Sequence, residues 1–320
     1  MKPKVFVTRK LPEAIIQKLE TSCQVKMWEE ENLPIPYEVL EKEILEVDGL
    51  FCLLTENIDR ALLEKAKRLK VISNMAVGYN NIDIDAAKDL GITVTNTPGV
   101  LTETTADLTF ALLMATARRL IEASDYLKNG AWQTWSPMQL TGQDVFGATI
   151  GIIGMGRIGA SLAKRARGFD MNILYYNRSR KLELEKELDI KYVEMDYLLK
   201  ESDFVCIMTP YTKETKNLIA AKELRMMKET AILINTARGG IVNEADLYLA
   251  LLEKQIWAAG LDVFGEEPIA KSHPLLSLNN VVALPHIGSA SIQTRLKMAN
   301  LAAENLLAAL NNQMPKHVVV

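Results

Sequence analysis

The chain has 320 residues, a length that favours about two domains, each able to bury its own core without disulfides or metals. Hydrophobic residues make up 48% and charged residues 24% of it, which is typical of a globular protein. Lys and Arg total 37 against 40 Asp and Glu, a formal charge of -3. The basic excess typical of nucleic-acid-binding proteins is therefore missing.

The cysteines and the N-terminus indicate the compartment. Cys23, Cys52 and Cys206 match no CxxC or zinc spacing, so we expect reduced thiols and no metal site. The first apolar run covers only residues 5–7, too short for a signal peptide, and no stretch reaches transmembrane length. We expect a cytoplasmic protein without membrane contact.

Short β-rich runs alternate with helical patterns in the first hundred residues. The runs cover residues 4–8, 50–54, 70–74 and 92–95. Alternation of this kind predicts βαβ units and a parallel sheet. Pro98-Gly99 ends the series, and a long helix is predicted from about Thr102 to Leu120.

A second series of strands follows, at residues 149–153, 173–176, 204–208, 231–234, 260–263 and 281–284. These runs are nearly continuously apolar, as in strands that are covered on both faces. The predicted fold is α/β, with two doubly wound parallel sheets and a last helix from about Ser291 to Leu310.

The segment Gly154-Met155-Gly156-Arg157-Ile158-Gly159 joins a buried strand to a helix. In a dinucleotide-binding turn, the first glycine permits the bend, the second admits the pyrophosphate and the third allows close packing of helix on strand. The amides at the start of the helix then face the phosphates. The alternative is a glycine-rich turn without a ligand, but this context favours dinucleotide binding.

Dinucleotide folds usually place an acidic residue about 20 residues further on, at the adenosine ribose. Here the strand is followed by Asn177-Arg178-Ser179-Arg180-Lys181. These cations can form charge-assisted hydrogen bonds with a 2′-phosphate, which a carboxylate would repel. We predict that NADPH is preferred, with NADH possible; the alternative is a group of solvated cations before a helix.

Polar stretches follow the last three strands, at residues 235–240, 260–268 and 285–290. The carboxyl ends of parallel strands line the ligand crevice of an open sheet. The chain resembles the D-2-hydroxyacid dehydrogenase family over nearly its whole length. The resemblance is carried by these stretches and by residues 77–83 and 97–100. The resemblance implies catalytic roles for Arg238, Glu267 and His286.

Reduction of a 2-oxo acid explains why these three residue types are needed together. The carbonyl oxygen gains negative charge and requires a proton, which His286 would donate. Glu267 would favour the imidazolium by charge pairing, and Arg238 would hold the substrate carboxylate and polarise the carbonyl. The alternatives are a helix cap for His286, a turn carboxylate for Glu267 and a structural ion pair for Arg238.

The resemblance also implies the domain roles and further contacts. It implies a flavodoxin-like substrate domain, residues 1–99 and 288–320, and a Rossmann domain, residues 100–287. The amides of Val77 and Gly78 would hold the substrate carboxylate, and Asp262 would contact the nicotinamide. Further cofactor contacts are expected at Pro210, Thr236 and Gly288, and Ser289 is expected near His286.

Residues 129–137, together with Gly142, look like those of glyoxylate/hydroxypyruvate reductases. In these enzymes the second tryptophan, here Trp135, reaches toward the substrate of the partner in a homodimer; the alternative is an interface aromatic without substrate contact. Arg295 also matches a residue near that site. Leu53 and Leu54 are expected to limit the room for the substrate tail.

Two alternatives remain at this stage. The 2-ketogluconate reductases share the same motifs and differ in the space around the substrate tail. The C-terminal-binding-protein corepressors share the fold and the three catalytic residue types but sense dinucleotides and recruit partners. Oxidation of NADPH with glyoxylate, hydroxypyruvate or 2-ketogluconate separates these functions.

Overall fold

The computed structural model describes residues 2–320. Its strands are β1 (Lys4–Val7), β2 (Gln24–Met27), β3 (Gly49–Cys52), β4 (Val71–Asn74), β5 (Thr93–Thr95), β6 (Thr149–Ile153), β7 (Asn172–Tyr176), β8 (Lys191–Tyr192), β9 (Phe204–Ile207), β10 (Ile232–Asn235), β11 (Ala258–Leu261) and β12 (Val281–Ala283). Its α-helices are α1 (Glu13–Glu20), α2 (Tyr37–Glu43), α3 (Arg60–Lys65), α4 (Ile84–Asp89), α5 (Thr102–Ala117), α6 (Leu120–Lys128), α7 (Arg157–Arg167), α8 (Leu182–Leu188), α9 (Met195–Glu201), α10 (Ala221–Met226), α11 (Glu244–Leu252) and α12 (Ile292–Leu310). Short 3₁₀ helices cover Ile44–Glu46 and Pro274–Ser277.

The chain forms two compact units. The first contains the residues up to Leu101 together with Ser291–Val320, and the second contains Thr102–Ala290. No helix within residues 2–320 is both long and apolar enough to cross a bilayer.

The first unit is built on a five-stranded parallel sheet in the order β2-β1-β3-β4-β5. This is the flavodoxin-like strand order. Strands β3 and β4 are buried along their whole length, and α12 packs against both. The hydroxyl of Ser73 on β4 donates a hydrogen bond of 2.7 Å to the carbonyl of Ala302 on α12, which ties the returning helix to this sheet.

The second unit is built on a seven-stranded parallel sheet in the order β12-β11-β10-β9-β6-β7-β8. The order reverses direction between β6 and β9, as in the Rossmann fold, with one strand added at the edge. Ile152 and Ile234 pack with α5 and α7 on one face, and Val205 and Leu233 pack in a second core on the other. The predicted α/β fold with two doubly wound parallel sheets is confirmed.

Two edge strands and one helix break differ from the sequence prediction. Strands β2 and β8 lie at sheet edges and alternate exposed polar residues with half-buried ones, so they lack the continuous apolar run that marks a central strand. The single helix predicted over residues 102–120 is interrupted at Arg119, whose φ of 51° is left-handed. The amide of Gln143 donates a hydrogen bond of 2.9 Å to the carbonyl of Ala117, so a distant segment satisfies the last residue of α5.

Candidate active site

The glycine motif forms the turn between β6 and α7, at the point where the strand order reverses. Gly154 has a φ of +104°, and a Cβ there would lie 2.7 Å from the carbonyl carbon of Met208, so only glycine fits. A Cβ on Gly156 would have no neighbour within 4 Å, whereas one on Gly159 would collide with the carbonyl of Gly154. The open space at Gly156 and the first amides of α7, which start at Arg157 and Ile158, fit a pyrophosphate.

The predicted 2′-phosphate residues lie in the turn after β7, and the structure distinguishes between its two arginines. Arg180 forms a bidentate pair with Glu185, with Nε–Oε1 and Nη2–Oε2 distances of 2.8 Å. Arg178 is exposed and forms no hydrogen bond or salt bridge with another residue in the range 2–320. The side-chain amide of Asn177 donates to the carbonyl of Ser179 at 2.9 Å and shapes the turn.

The hydroxyl of a buried tyrosine, Tyr175, stabilises this turn through hydrogen bonds. The hydroxyl of Tyr175 accepts a hydrogen bond from the amide of Lys181 and donates one to Glu185, each at 2.7 Å. Burial, together with the bond to Glu185, raises the pKa of Tyr175 to about 12. Tyr175 therefore stays a neutral donor, and the sequence analysis assigned it no such role.

The segment that carries Arg238 leaves the end of β10. Asn235, the buried last residue of that strand, accepts from the amide of Ala237 at 3.1 Å and donates to the carbonyl of Arg238 at 3.0 Å. Burial lowers the pKa of Arg238, against the opposing effect of Glu267. The hydroxyl of Thr236 is 2.6 Å from that of Thr109 on α5.

The segment after β11 packs directly against the segment after β10. A Cβ on Gly239 would collide with the carbonyl of Phe264, so only a glycine allows the segment after β10 and the segment after β11 to approach this closely. This approach brings the Arg238 turn beside the turn that contains Glu267.

Glu267 and His286 form a direct pair. Nδ1 of His286 is 2.6 Å from Oε2 of Glu267, and Oε1 of Glu267 accepts from the amide of Phe264 at 2.9 Å. Burial acts to raise the pKa of Glu267, but the hydrogen bond and charge of His286, the Phe264 amide and Arg238 together lower it. Because Nδ1 is bound to the carboxylate, Nε2 is the ring nitrogen left to exchange a proton with a substrate.

Asp262, directly after β11, holds the chain next to His286. Its side chain is fully buried, and Oδ1 accepts from the amide of Ile287 at 2.8 Å. This bond fixes the residue that follows His286, whose φ of 54° is left-handed. Burial is the main reason why the pKa of Asp262 is raised, and the bond from Ile287 opposes it.

The second oxygen of Asp262 supports the expected cofactor contact. Oδ2 is buried and has no hydrogen-bond partner within residues 2–320, although the nearby Gly288 amide lowers the carboxyl pKa. A buried oxygen of this kind needs a donor, and the amide group of a nicotinamide is such a donor. The glycine turn and Asp262 thus both fit a nicotinamide dinucleotide.

The first unit contains Val77 and Gly78, whose amides were predicted to hold the substrate carboxylate. The side chain of Asn74 donates to the carbonyl of Gly78 at 2.9 Å, and that of Asn96 donates to the carbonyl of Val77 at 2.8 Å. The amides of Val77 and Gly78 have no acceptor in the described part of the chain, so they can bind an anion. Leu53 and Leu54 are half-buried after β3, and Arg295 lies in the first turn of α12.

The remaining predicted residues differ in their surroundings. Pro210 is exposed beyond the end of β9, and Gly288 is buried against Asp262. Ser289 lies three residues after His286 and forms no hydrogen bond to its ring within the described residues. Trp135 is 75% exposed on the second unit.

The sequence analysis missed the asparagines that shape the two binding turns. Asn235 fixes the Arg238 segment, and Asn74 and Asn96 orient the Val77-Gly78 peptides. The available signal was an asparagine at or directly after the end of a strand, because its side chain readily bonds to nearby backbone groups.

Known proteins resemble this chain along its whole length. Residues 110–288 match the family model for the D-isomer specific 2-hydroxyacid dehydrogenase, NAD binding domain. The chain is 50% identical to a glyoxylate reductase of Korarchaeum cryptofilum, over 100% of this chain and 96% of that protein. A crystal structure of a Thermus thermophilus protein aligns with a TM-score of 0.92 at 43% identity and covers 99% of this chain and 100% of that one.

A second solved structure carries ligands. It is the NADPH-dependent glyoxylate/hydroxypyruvate reductase of Sinorhizobium meliloti in complex with NADP and malonate. It aligns with a TM-score of 0.86 at 30% identity and covers 100% of this chain and 97% of that one.

The lowered pKa of Glu267 predicts a pH-dependent contribution to stability. The ionised carboxylate stabilises the folded state above its ordinary pKa of 4.5, and this contribution is lost as the pH falls through the lowered value. Urea unfolding at several pH values should show the largest difference in free energy of unfolding between the wild type and Glu267→Gln in the neutral range, and a smaller one in acid. Glu266→Gln, at the exposed neighbour, is the control. A difference that stays constant with pH for Glu267→Gln would contradict the assignment.

Proposed function

Because the chain belongs to the D-isomer specific 2-hydroxyacid dehydrogenase family, we propose that it reduces glyoxylate and hydroxypyruvate to D-2-hydroxy acids, with a preference for NADPH. The observation that carries the proposal is the 2.6 Å pair of His286 and Glu267, in the same unit and sheet as a turn shaped for a dinucleotide. Relatives that are 50% identical over the whole chain are glyoxylate reductases.

The residues around the dinucleotide turn would hold the cofactor. The first amides of α7 would bind the pyrophosphate, Oδ2 of Asp262 would accept from the nicotinamide amide, and Thr236, Pro210 and Gly288 would line the cofactor. The nicotinamide supplies the hydride when it is bound.

Arg238, Glu267 and His286 would act on the substrate. The guanidinium of Arg238 would bind the carboxylate of the 2-oxo acid and polarise its carbonyl. His286, protonated on both ring nitrogens, would donate the Nε2 proton to the carbonyl oxygen while Nδ1–H stays bound to Glu267. The amides of Val77 and Gly78 would bind the carboxylate as well, and Leu53 would limit the length of the substrate tail.

An assay of NADPH oxidation with glyoxylate, hydroxypyruvate and 2-ketogluconate tests the function. We expect turnover with the first two, and we expect His286→Gln to lower kcat by about 100-fold or more because general acid catalysis is lost. Binding of NADPH, followed by its fluorescence, should be retained in this variant. The matched control is His317→Gln, which changes a histidine of the first unit without an assigned role.

The other outcomes identify the alternatives. Faster turnover of 2-ketogluconate than of glyoxylate would favour a 2-ketogluconate reductase. Tight dinucleotide binding without turnover of any of the three acids would refute the reductase and favour a dinucleotide-sensing binding protein.

The preference for NADPH is proposed from Arg178, the exposed arginine of the turn after β7. A charge-assisted hydrogen bond contributes about 1.5–3 kcal/mol, so Arg178→Asp should weaken NADPH binding by roughly 10- to 150-fold and leave NADH binding nearly unchanged. Lys200→Asp, at an exposed cation on α9, is the control for net charge. An unchanged ratio of the two dissociation constants would show that this turn does not select the cofactor.

We also propose that the protein is a homodimer. Helix α6 has no buried residue, and it exposes Leu120, Ile121 and Leu127. The segment after it exposes Trp132, Trp135, Met138 and Phe146. A contiguous stretch of exposed apolar side chains is typical of a protein interface.

Sedimentation velocity tests the assembly. The wild type should sediment as a dimer and Leu127→Asp as a monomer, since an unpaired charge in an interface is strongly unfavourable. Trp135→Ala should remain dimeric, with a raised KM for the 2-oxo acid and an unchanged KM for NADPH, if Trp135 contacts substrate. A monomeric wild type would refute the proposed dimer.

A further inference from the structure

The turn that carries Glu267 is held by a second carboxylate. Within the turn, the amide of Phe264 donates to Glu267 itself. The next amide, that of Gly265, donates to Oε1 of Glu244 at 2.6 Å. Glu244 is the first residue of α11, whose N-cap is Asn243. A helix terminus therefore fixes the backbone two residues before the carboxylate that binds His286.

Glu244 is paired with a histidine of its own. Nε2 of His273 lies 3.3 Å from Oε2 of Glu244, and both side chains are mostly buried. Nδ1 of His273 is buried without a hydrogen-bond partner among residues 2–320. A proton on Nδ1 would be a buried donor without an acceptor, which is costly, so Nε2 is the ring nitrogen that is placed to carry a proton toward Glu244.

The backbone holds His273 in place independently of this pair. Its amide donates to the carbonyl of Ala270 at 2.8 Å, and the 3₁₀ helix Pro274–Ser277 begins directly after it. The fixed His273 ring thus lies beside Oε2 of Glu244, while Oε1 of Glu244 accepts the hydrogen bond from Gly265. The two histidine–glutamate pairs differ in the nitrogen that faces the carboxylate: Nδ1 of His286 is 2.6 Å from Glu267, and Nε2 of His273 is 3.3 Å from Glu244.

We propose that Glu244 and His273 are positioning residues for the reaction, because they set the turn on which the geometry of Glu267 and His286 depends. The proposal rests on the proposed function in assigning the reaction to that pair. Neither residue touches the substrate; they act through the Gly265 amide.

Kinetics of paired variants test the proposal. Glu244→Ala should lower kcat by about 10- to 100-fold, the effect expected of a small displacement of reacting groups, with the KM for NADPH unchanged. Glu244→Gln keeps an oxygen acceptor for Gly265 and should recover most of the loss. In the same way, His273→Gln keeps a donor near the Nε2 position and should be more active than His273→Leu.

Glu266→Ala is the matched control, because Glu266 is an exposed carboxylate next to the same turn. It should leave kcat unchanged. Thermal unfolding identifies any variant that has lost its fold, and the Gln variants keep the comparison interpretable in that case. Folded Glu244→Ala protein with wild-type kcat, or Glu244→Gln as impaired as Glu244→Ala, would overturn the proposal.

Nuclear magnetic resonance of the histidine rings provides a readout that needs no turnover. The chain has 3 histidines, so ¹⁵N labelling of histidine gives few signals, and His286→Gln and His273→Gln assign two of them. We expect the His273 ring to carry a proton on Nε2 and His286 to show a downfield Nδ1–H proton. Glu244→Ala should shift or broaden that proton signal.

The positioning role and the proposed function can be refuted independently of each other. An unperturbed His286 signal in Glu244→Ala, or a His273 ring that carries its proton on Nδ1, overturns the positioning role. A wild type that reduces none of the 2-oxo acids overturns the proposed function, and the resonance experiment still decides whether Glu244 sets the pair of Glu267 and His286.

Discussion

The carboxylate of Glu267 imposes the main constraint on this edge of the sheet, because its two oxygens satisfy donors from two different segments. One oxygen binds the amide of Phe264 in its own turn, and the other binds Nδ1 of His286. If the ring moved, the carboxylate could keep its bond to Nδ1 only by breaking its bond to the Phe264 amide. The backbone after β11 therefore determines where the His286 ring lies. The contacts that restrain this backbone also restrain the ring. Asp262 adds a second restraint through the amide of Ile287.

Burial and charge act against each other at this site. Burial lowers the pKa of Arg238 and raises that of Asp262, so it disfavours the charged form of both. Glu267 nevertheless has a lowered pKa, because His286 and Arg238 stabilise its charge. A guanidinium that has lost much of its water interacts strongly with an added anion. A substrate carboxylate would restore part of the solvation that Arg238 loses on folding, which is a physical reason for an anionic substrate.

The sequence predicts most of the central sheet and the segments of the site, because buried parallel strands are apolar runs and their carboxyl ends meet at one edge. It does not predict β2 and β8, whose polar residues follow from their position at sheet edges. It also does not predict the bonds of Asn235 or the pair of Glu244 and His273. These join ordinary residues from separate segments, and such contacts leave no periodicity or motif in a single sequence.

The turn after β7 shows how the structure changes the weight of a sequence motif. In the sequence, Arg178 and Arg180 are equivalent candidates for a 2′-phosphate. In the structure, Arg180 is committed to a bidentate pair with Glu185, which the buried hydroxyl of Tyr175 also holds. Arg180 would have to break two charge-assisted hydrogen bonds to reach a phosphate, whereas Arg178 would break none. The proposed preference for NADPH therefore depends on Arg178. Arg180 contributes by keeping the turn in the conformation that exposes Arg178.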